Sequence, residues 1–415
     1  METKNIAFVT TMGQARNVLS ISRQRNVNIR IYIFFTVMNT QLLDKIKVFC
    51  NDNHIPCQEV EFPIYPTNPS PKKIKQIFNI YDRLLTEVTT NLFIANCNNH
   101  YTIAMKLARK KGINLVYFEE GLSSYKTKNN FQLLDSNEAR LLVSKQRKGL
   151  ILSHESKSLI LKLVLFIFRR VIKPIRFARN EYTVFKKIFV NYFRIKNKYK
   201  FMTHEGLNKL SITNKLIDTT YFDNNYDFDV AYLALEKANV NFKDEIISKL
   251  DIKLQINERE INDLKSILRT TPRNLYLDQQ YSQDKNYIKI LTQTIKNELK
   301  SKNLRTLTVK FHPRTSNKYK HTFLKNLLEL GIKFKVYPEL DDFSAEAIFS
   351  VKHFKKAFSP SSSSILYAPL FDEKIQTYPI CRAIIDEYNS ANLKPPKNLI
   401  NDCIALHSTL DKMKN

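Results

Sequence analysis

Three short segments of this chain carry side chains able to move a proton or hold a phosphate. Glu119-Glu120-Gly121 follows the apolar run Leu115-Val116-Tyr117-Phe118, and His312-Pro313-Arg314 follows Leu307-Thr308-Val309-Lys310-Phe311. Ser359-Pro360-Ser361-Ser362-Ser363-Ser364 follows Ala357-Phe358 and runs into Ile365-Leu366. A carboxylate can deprotonate a hydroxyl acceptor. A histidine can donate to a leaving group, and serine hydroxyls at a helix N-terminus can hold that group if it is a phosphate. Each segment alone has an ordinary structural reading. Paired acids before a glycine suit a solvated turn, a histidine before proline suits a turn, and serines opening a helix act as caps. Pro360 can be a first helical residue, which would make Ser359 the N-cap. Together they describe transfer of a group from a phosphate leaving group to a hydroxyl.

Such a set works only if strand ends bring it together. The first 120 residues alternate strand and helix patterns, with apolar runs at Ile6–Thr10, Ile29–Phe35, Glu59–Phe62, Leu92–Ala95 and Ile113–Phe118. Between them Ile74, Ile77, Phe78, Tyr81, Leu84, Leu85 and Val88 recur at helical spacing. The rhythm returns after about residue 270, with strands expected at Asn274–Leu277, Thr306–Phe311, Ile332–Tyr337, Ala357–Ser359 and Lys374–Thr377. Helices are expected at Asn286–Lys300 and Tyr319–Leu330. Alternation of this kind implies right-handed crossovers and parallel sheets covered on both faces. In such folds ligands sit outside the carboxyl ends of the strands, where all three segments fall.

The 415 residues are enough for two or three domains, and 43% hydrophobic with 25% charged residues is the balance of a globular protein. The longest apolar run, Leu163–Phe168, is far short of the roughly 20 residues that span a bilayer. Met1-Glu2-Thr3-Lys4-Asn5 leads straight into Ile6-Ala7-Phe8-Val9, so no signal peptide is expected. Charge is the unusual quantity: 66 Lys and Arg against 39 Asp and Glu leave a net charge of +27. A field of that size attracts polyanions, whether nucleic acid, anionic lipid or acidic polysaccharide. Much of it lies between Lys157 and Lys200, where thirteen cationic residues accompany the single acid Glu181. Aromatic residues from Phe166 to Tyr199 are interleaved with them. The stretch reads as a basic amphipathic helical insertion that lies on an anionic surface, or that packs its apolar face while Lys and Arg stems reach water. Cys50, Cys57, Cys97, Cys381 and Cys403 show no CxxC spacing, and reduced thiols without a zinc site are expected. No recognised nucleic-acid module accompanies the charge, which leaves nucleic-acid binding a distant alternative.

The acid-acid-Gly, His-Pro and Ser-rich segments, in this chain order, resemble those of bacterial two-domain sialyltransferases. The similarity is greatest to the capsule α-2,8-polysialyltransferases, through Glu119-Glu120-Gly121-Leu122-Ser123-Ser124-Tyr125-Lys126-Thr127. Gly13-Gln14 after the first strand and His100-Tyr101 before the acidic strand fit the same pattern. The resemblance covers roughly residues 5–130 and 270–380.

It implies an α/β fold of GT-B type, two Rossmann-like domains facing a cleft, with a basic helical middle segment at about 157–200 included in the first. The domains expected are 1–222 on the acceptor side and 223–415 on the CMP-sugar side. The implied reaction is inverting transfer of sialic acid from CMP-sialic acid to a sialic-acid-terminated acceptor, elongating α-2,8-linked capsule polysaccharide. Carried over by position, Glu119 is the general base, with Glu120, Gly121 and His100 orienting or touching the acceptor. His312 is the general acid or electrostatic partner of the CMP phosphate, and Pro313 fixes its turn. Ser361, Ser362, Ser363 and Ser364 are the phosphate-binding hydroxyls, four consecutive serines leaving the register open. Glu339 is a ligand for the ribose diol, and Gly13 and Gln14 are further donor contacts. No metal and no cofactor beyond the donor are expected. The expected partners are oligosialic or polysialic acid, the anionic inner-membrane surface and the capsule export machinery, not nucleic acid. The expected location is the cytoplasmic face of the bacterial inner membrane. Single-transfer lipooligosaccharide sialylation, or a capsule transferase using another activated sugar, remain open on the same residues.

Overall fold

Twelve short strands pair in parallel in a computed structural model of the chain, which describes residues 4–36, 40–63, 71–96, 100–125, 228–239, 241–312 and 315–414. The first sheet has seven strands in the order β3-β2-β1-β4-β5-β6-β7. They are β1 (Asn5–Val9), β2 (Arg30–Phe35), β3 (Cys57–Glu61), β4 (Asn91–Ile94), β5 (Asn114–Phe118), β6 (Val230–Leu233) and β7 (Ile247–Lys249). Helices α1 (Met12–Arg25), α2 (Thr40–Asp52), α3 (Pro71–Leu84) and α4 (Tyr101–Lys110) cross between the first five strands. The second sheet has the order β10-β9-β8-β11-β12. Its strands are β8 (Asn274–Leu277), β9 (Thr306–Lys310), β10 (Lys333–Val336), β11 (Lys356–Ser359) and β12 (Gln376–Pro379). Helices α5 (Glu258–Leu268), α6 (Lys285–Ser301), α7 (Asn317–Glu329), α8 (Ala345–Ser350), α9 (Ser364–Phe371), α10 (Cys381–Ser390) and α11 (Lys397–Lys414) accompany it.

Every pairing among these strands is parallel. In both sheets the strand order reverses at the centre, between β1 and β4 and between β8 and β11, which opens a crevice at the carboxyl edge. Each sheet is therefore doubly wound, and the two Rossmann-like halves form the GT-B arrangement. The central strands are buried on both faces, as covered parallel strands must be. On one face of the first sheet Phe8, Phe34, Phe62 and Tyr81 stack with ring centroids 4.9–5.8 Å apart. The α3 stripe supplies Ile77 and Tyr81 to that cluster, which accounts for its helical periodicity. Beyond the opposite face, buried apolar contacts run without a break into the second half.

Three features differ from the sequence expectation. The first sheet does not stop near residue 222: β6 and β7 add to β5, so residues 228–250 belong with the first half. β6 is only four residues long and β7 only three, too short to show a period. Helix α9 begins at Ser364, not at Pro360, and its N-cap residue Ser363 makes no side-chain cap bond. Ser359 instead accepts from the Ser362 amide at 3.1 Å and braces the turn before the helix. Finally, α11 returns from the second half to pack on the short 3-10 turns at Gly121–Tyr125 and Glu236–Ala238 of the first. The basic stretch 157–200, Lys126, Thr127 and Pro313 lie outside the described residues. No described helix is long and apolar enough to cross a membrane.

Candidate active site

The carboxyl ends of the two sheets face one another across a cleft of about 650 Å3. That volume is within the usual range for small-molecule sites. Its first wall is the N-terminus of α1 with Gly13 and Gln14, and the end of β5 with Glu119, Glu120 and Gly121. Its second wall holds Asp278 after β8, Lys310 and His312 at the end of β9, Glu346 on α8, and Ser362, Ser363 and Ser364 before and at the start of α9. A larger depression of about 920 Å3 lies at the opposite, amino edge of the second sheet, lined by Lys265, Arg269, Arg273, Lys352, Lys355 and Lys356. It contains none of the strand-end motifs, all of which lie at the cleft.

The two acids are held in opposite ways. Glu119 continues β5, its amide donating to the Tyr232 carbonyl at 3.1 Å, and its side chain is buried. The Tyr125 hydroxyl donates to Glu119 Oε2, and the Ala234 amide donates to the same oxygen at 2.6 Å. Desolvation raises its proton affinity above the ordinary carboxylate range, opposed in part by those donors. The Tyr367 hydroxyl of α9 is buried nearby without a hydrogen-bond partner of proper geometry. Glu120 is half-buried on the cleft wall, and Gln14 Nε2 donates to its Oε1 at 2.8 Å. The other end of the Gln14 amide accepts from the Thr10 amide at 2.6 Å, so the side chain is oriented from both ends.

The residues after the acids explain the rest of the motif. Ser124 Oγ accepts from the Glu120 amide at 2.6 Å and from the Tyr117 hydroxyl at 2.7 Å. Ser123 Oγ donates to the Glu120 carbonyl at 2.6 Å. Gly121 has φ +58°, and a Cβ there would meet Ser363 Oγ at 2.9 Å. Glycine is needed for the backbone and for space, because this is where the two halves touch. Asn17 Nδ2 donates to the Glu119 carbonyl at 2.7 Å and Gln255 Nε2 donates to Asn17 Oδ1 at 2.6 Å, bracing the strand end from α1.

On the second wall His312 is exposed to the cleft, and the Thr315 amide donates to its carbonyl at 2.9 Å, closing the turn. Ser362 Oγ accepts from the Ser364 amide at 3.3 Å, and Ser364 Oγ donates to Glu346 Oε1 at 2.9 Å. Ser361 is buried away from the cleft, where its hydroxyl meets that of Tyr281, which in turn donates to Asp402 at 2.5 Å. Glu339 is exposed and lines no part of the cleft, whereas Asp341 and Asp342 do. His100 is also apart from the cleft: its Nδ1 lies 2.6 Å from the Tyr81 hydroxyl, and burial among aromatic rings pushes its pKa far down.

Several cleft groups carry no sequence motif. Asp278 is buried, accepts from the Tyr319 hydroxyl at 3.1 Å and from Thr315 Oγ1 at 3.2 Å, and is pushed up to about 7 by desolvation. Lys310 is buried beside it on the wall and is pushed down to about 8, again by desolvation. A lone Asp after β8 and a Lys inside an apolar strand were the available signals; only a buried charged residue at a strand end would have marked them. Asp227-Phe228-Asp229 is the single Asp-x-Asp triplet of the sequence. Asp229 sits before β6, at the amino edge of the sheet, where it pairs with Arg109 at 2.8 Å and accepts from the Leu115 amide. It is thus at the edge opposite the cleft.

The family model for alpha-2,8-polysialyltransferase (POLYST) matches residues 5–379 of the chain. No curated protein sequence matches it. Among solved structures, the chain is similar to a UDP-GlcNAc 2-epimerase from Neisseria meningitidis, 11% identical, over 100% of this chain and 94% of that one, with a TM-score of 0.47. It is also similar to the UDP-GlcNAc 2-epimerase of Methanocaldococcus jannaschii, 13% identical, over 100% and 93%, with a TM-score of 0.48. A glycosyltransferase from Rickettsia africae is 8% identical over 100% and 95%, with a TM-score of 0.42.

Proposed function

The chain belongs to the alpha-2,8-polysialyltransferase family, and on that premise we propose that this glycosyltransferase elongates α-2,8-linked polysialic acid from CMP-sialic acid. The observation that carries the reading is the convergence in one cleft of an acidic strand end from the first half with His312 and two serines from the second. The acceptor lies on the first wall and the CMP phosphate on the second. Glu119 takes the proton from the terminal acceptor hydroxyl as its oxygen attacks the anomeric carbon. The bond from that carbon to the phosphate oxygen breaks on the opposite side, and CMP leaves with the electron pair. A single displacement of this kind inverts the anomeric centre.

Burial suits Glu119 to the base role, because desolvation strengthens its hold on a proton at working pH. Its Oε2 is held by Tyr125 and Ala234, which fixes the carboxyl in place. A second reading assigns the proton to Glu120, favoured by its greater exposure on the cleft wall and its bond from Gln14. His312 neutralises charge on the departing phosphate, and Ser362 and Ser363 add hydroxyl donors there. Lys310 offers a buried cation for an anionic group of the donor. The residues used need no metal for this step.

The reading is tested by incubating the full chain with CMP-sialic acid and a short oligosialic primer, then analysing the linkages formed. CMP release matched by new α-2,8 bonds is expected. Release matched by a different linkage would keep the sialyltransferase and remove the α-2,8 assignment; a different activated sugar as sole donor would remove both. The basic stretch at 157–200 is proposed to hold the enzyme on the anionic cytoplasmic face of the inner membrane, beside the export machinery. Each cationic contact contributes about 1 kcal/mol. Salt-sensitive sedimentation with anionic vesicles is expected, and failure to sediment at low salt would remove the membrane role.

A further inference from the structure

Cys381, Cys403 and His407 converge between α10 and α11, with one sulfur or nitrogen from each lying within 4.8 Å of the others. The three residues come from two helices, so only the fold brings Cys381 to the other two. Cys381 is the first residue of α10, and Cys403 and His407 are one turn apart on α11, on one face. Both sulfurs are buried, Cys381 at 0% and Cys403 at 1% exposure. His407 Nε2 is buried too and has no hydrogen-bond partner. A buried imidazole nitrogen left without a partner is costly and asks for one.

We propose that Cys381, Cys403 and His407 supply three ligands to a site for one thiophilic metal ion, zinc being the ordinary occupant. The donor set is the soft sulfur and imidazole combination that zinc takes. Zinc bonds of about 2.3 Å to sulfur and 2.0–2.1 Å to nitrogen put ligand atoms somewhat closer together than 4.8 Å, so side-chain rotation of about 1 Å seats the ion. Cys50 and Cys57 of the first half are a contrasting pair, because no histidine joins them in a ligand cluster among the described residues.

The ion ties two parts of the molecule that must act together. Helix α10 packs within the second half, whereas α11 crosses to lie on the Gly121–Tyr125 turn that carries the acid motif. Lys412, near the end of α11, donates to the Asn239 carbonyl of the first half at 3.4 Å. A metal joining the two helices therefore fixes the second half to the helix that rests on the acidic strand end. The cluster lies beyond residue 379, outside the span of the family model, and its occupancy does not depend on which sugar the cleft accepts.

The test is metal content of the tag-free full chain, purified reduced and without chelator, with zinc and cobalt(II) as probes. About one zinc per chain is expected. Cys403→Ser and His407→Ala should each retain at least roughly tenfold less, and Cys50→Ser should retain it all. Cobalt(II) should give thiolate charge-transfer and tetrahedral visible bands in the parent and lose them in Cys403→Ser. Chelation should lower the melting temperature of the parent and leave that of Cys403→Ser unchanged. That last comparison separates metal loss from general misfolding, as does circular dichroism of each variant. A folded, reduced parent that retains no zinc and gives no cobalt spectrum would overturn the proposal. A native Cys381–Cys403 disulfide in the freshly isolated protein, found by mass spectrometry, would overturn it equally.

Discussion

The two walls of the cleft are built on opposite principles. The first is braced: Glu119, Asn17, Gln255, Gln14 and Ser124 are each bonded into the first half, so the acidic strand end is fixed before any ligand arrives. The second presents donors: Ser363 makes no cap bond, and His312 is exposed to the cleft. A positioned base needs its carboxylate fixed to within a fraction of an ångström. An anion site needs donors directed outward at a helix start. The difference supports the proposed division, proton removal on the first wall and phosphate on the second, under which substitutions on each wall should separate in kind.

The largest effect belongs to Glu119→Gln. Loss of a general base costs 10²–10⁴-fold, so turnover should fall by about that factor with CMP binding kept. Glu120→Gln should cost less if, as proposed, that acid only orients the acceptor. The reverse ranking, measured by CMP release under saturating donor and primer, would move the base by one residue. His312→Ala should follow, lowering kcat by about 10²-fold as charge on the departing phosphate goes unanswered. An unchanged kcat with a raised donor KM would make His312 a binding residue only.

The legibility of these walls in the sequence was uneven. Strand runs such as Ile113–Phe118 and Thr306–Phe311 were plain because buried parallel strands are continuously apolar, and motifs at their ends mark the ligand edge. Residues that meet only through the fold left no trace. Tyr125 stands in the motif as a letter, yet its work is to donate to Glu119 six residues earlier. Ser361 looks like its neighbours in a run of four, but the turn points it at Tyr281. Glu339 falls outside the cleft because a 3-10 turn over Pro338–Asp342 carries Asp341 and Asp342 into it instead. Cys403 and His407 are one helical turn apart, but Cys381, twenty-two residues before Cys403, joins them only through the fold.

A double variant, Ser362→Ala with Ser363→Ala, should show a smaller effect and a different one. Losing two hydroxyl contacts of about 1 kcal/mol each should raise the donor KM roughly tenfold to thirtyfold, with kcat changed little. A fall in kcat alone would put these hydroxyls with the transition state. Asp278 supplies the mildest test. Its carboxyl is neutral in the fold up to about pH 7, against an ordinary value of 3.8. An acid whose folded-state value is raised binds the proton more tightly when folded, so its contribution to stability falls as pH rises between those two values. Asp278→Asn cannot ionise, so it should flatten that decline in melting temperature from about pH 4 to 7. An unchanged profile would mean that Asp278 is ionised in the fold.

Division of labour between the walls is tested most directly by calorimetric titration of CMP into the parent, Glu119→Gln and the double serine variant. Equal affinity for the parent and Glu119→Gln is predicted, with affinity lowered roughly tenfold or more in the serine variant. The opposite pattern, in which Glu119→Gln loses CMP and the serine variant keeps it, would contradict the assignment of phosphate to the second wall.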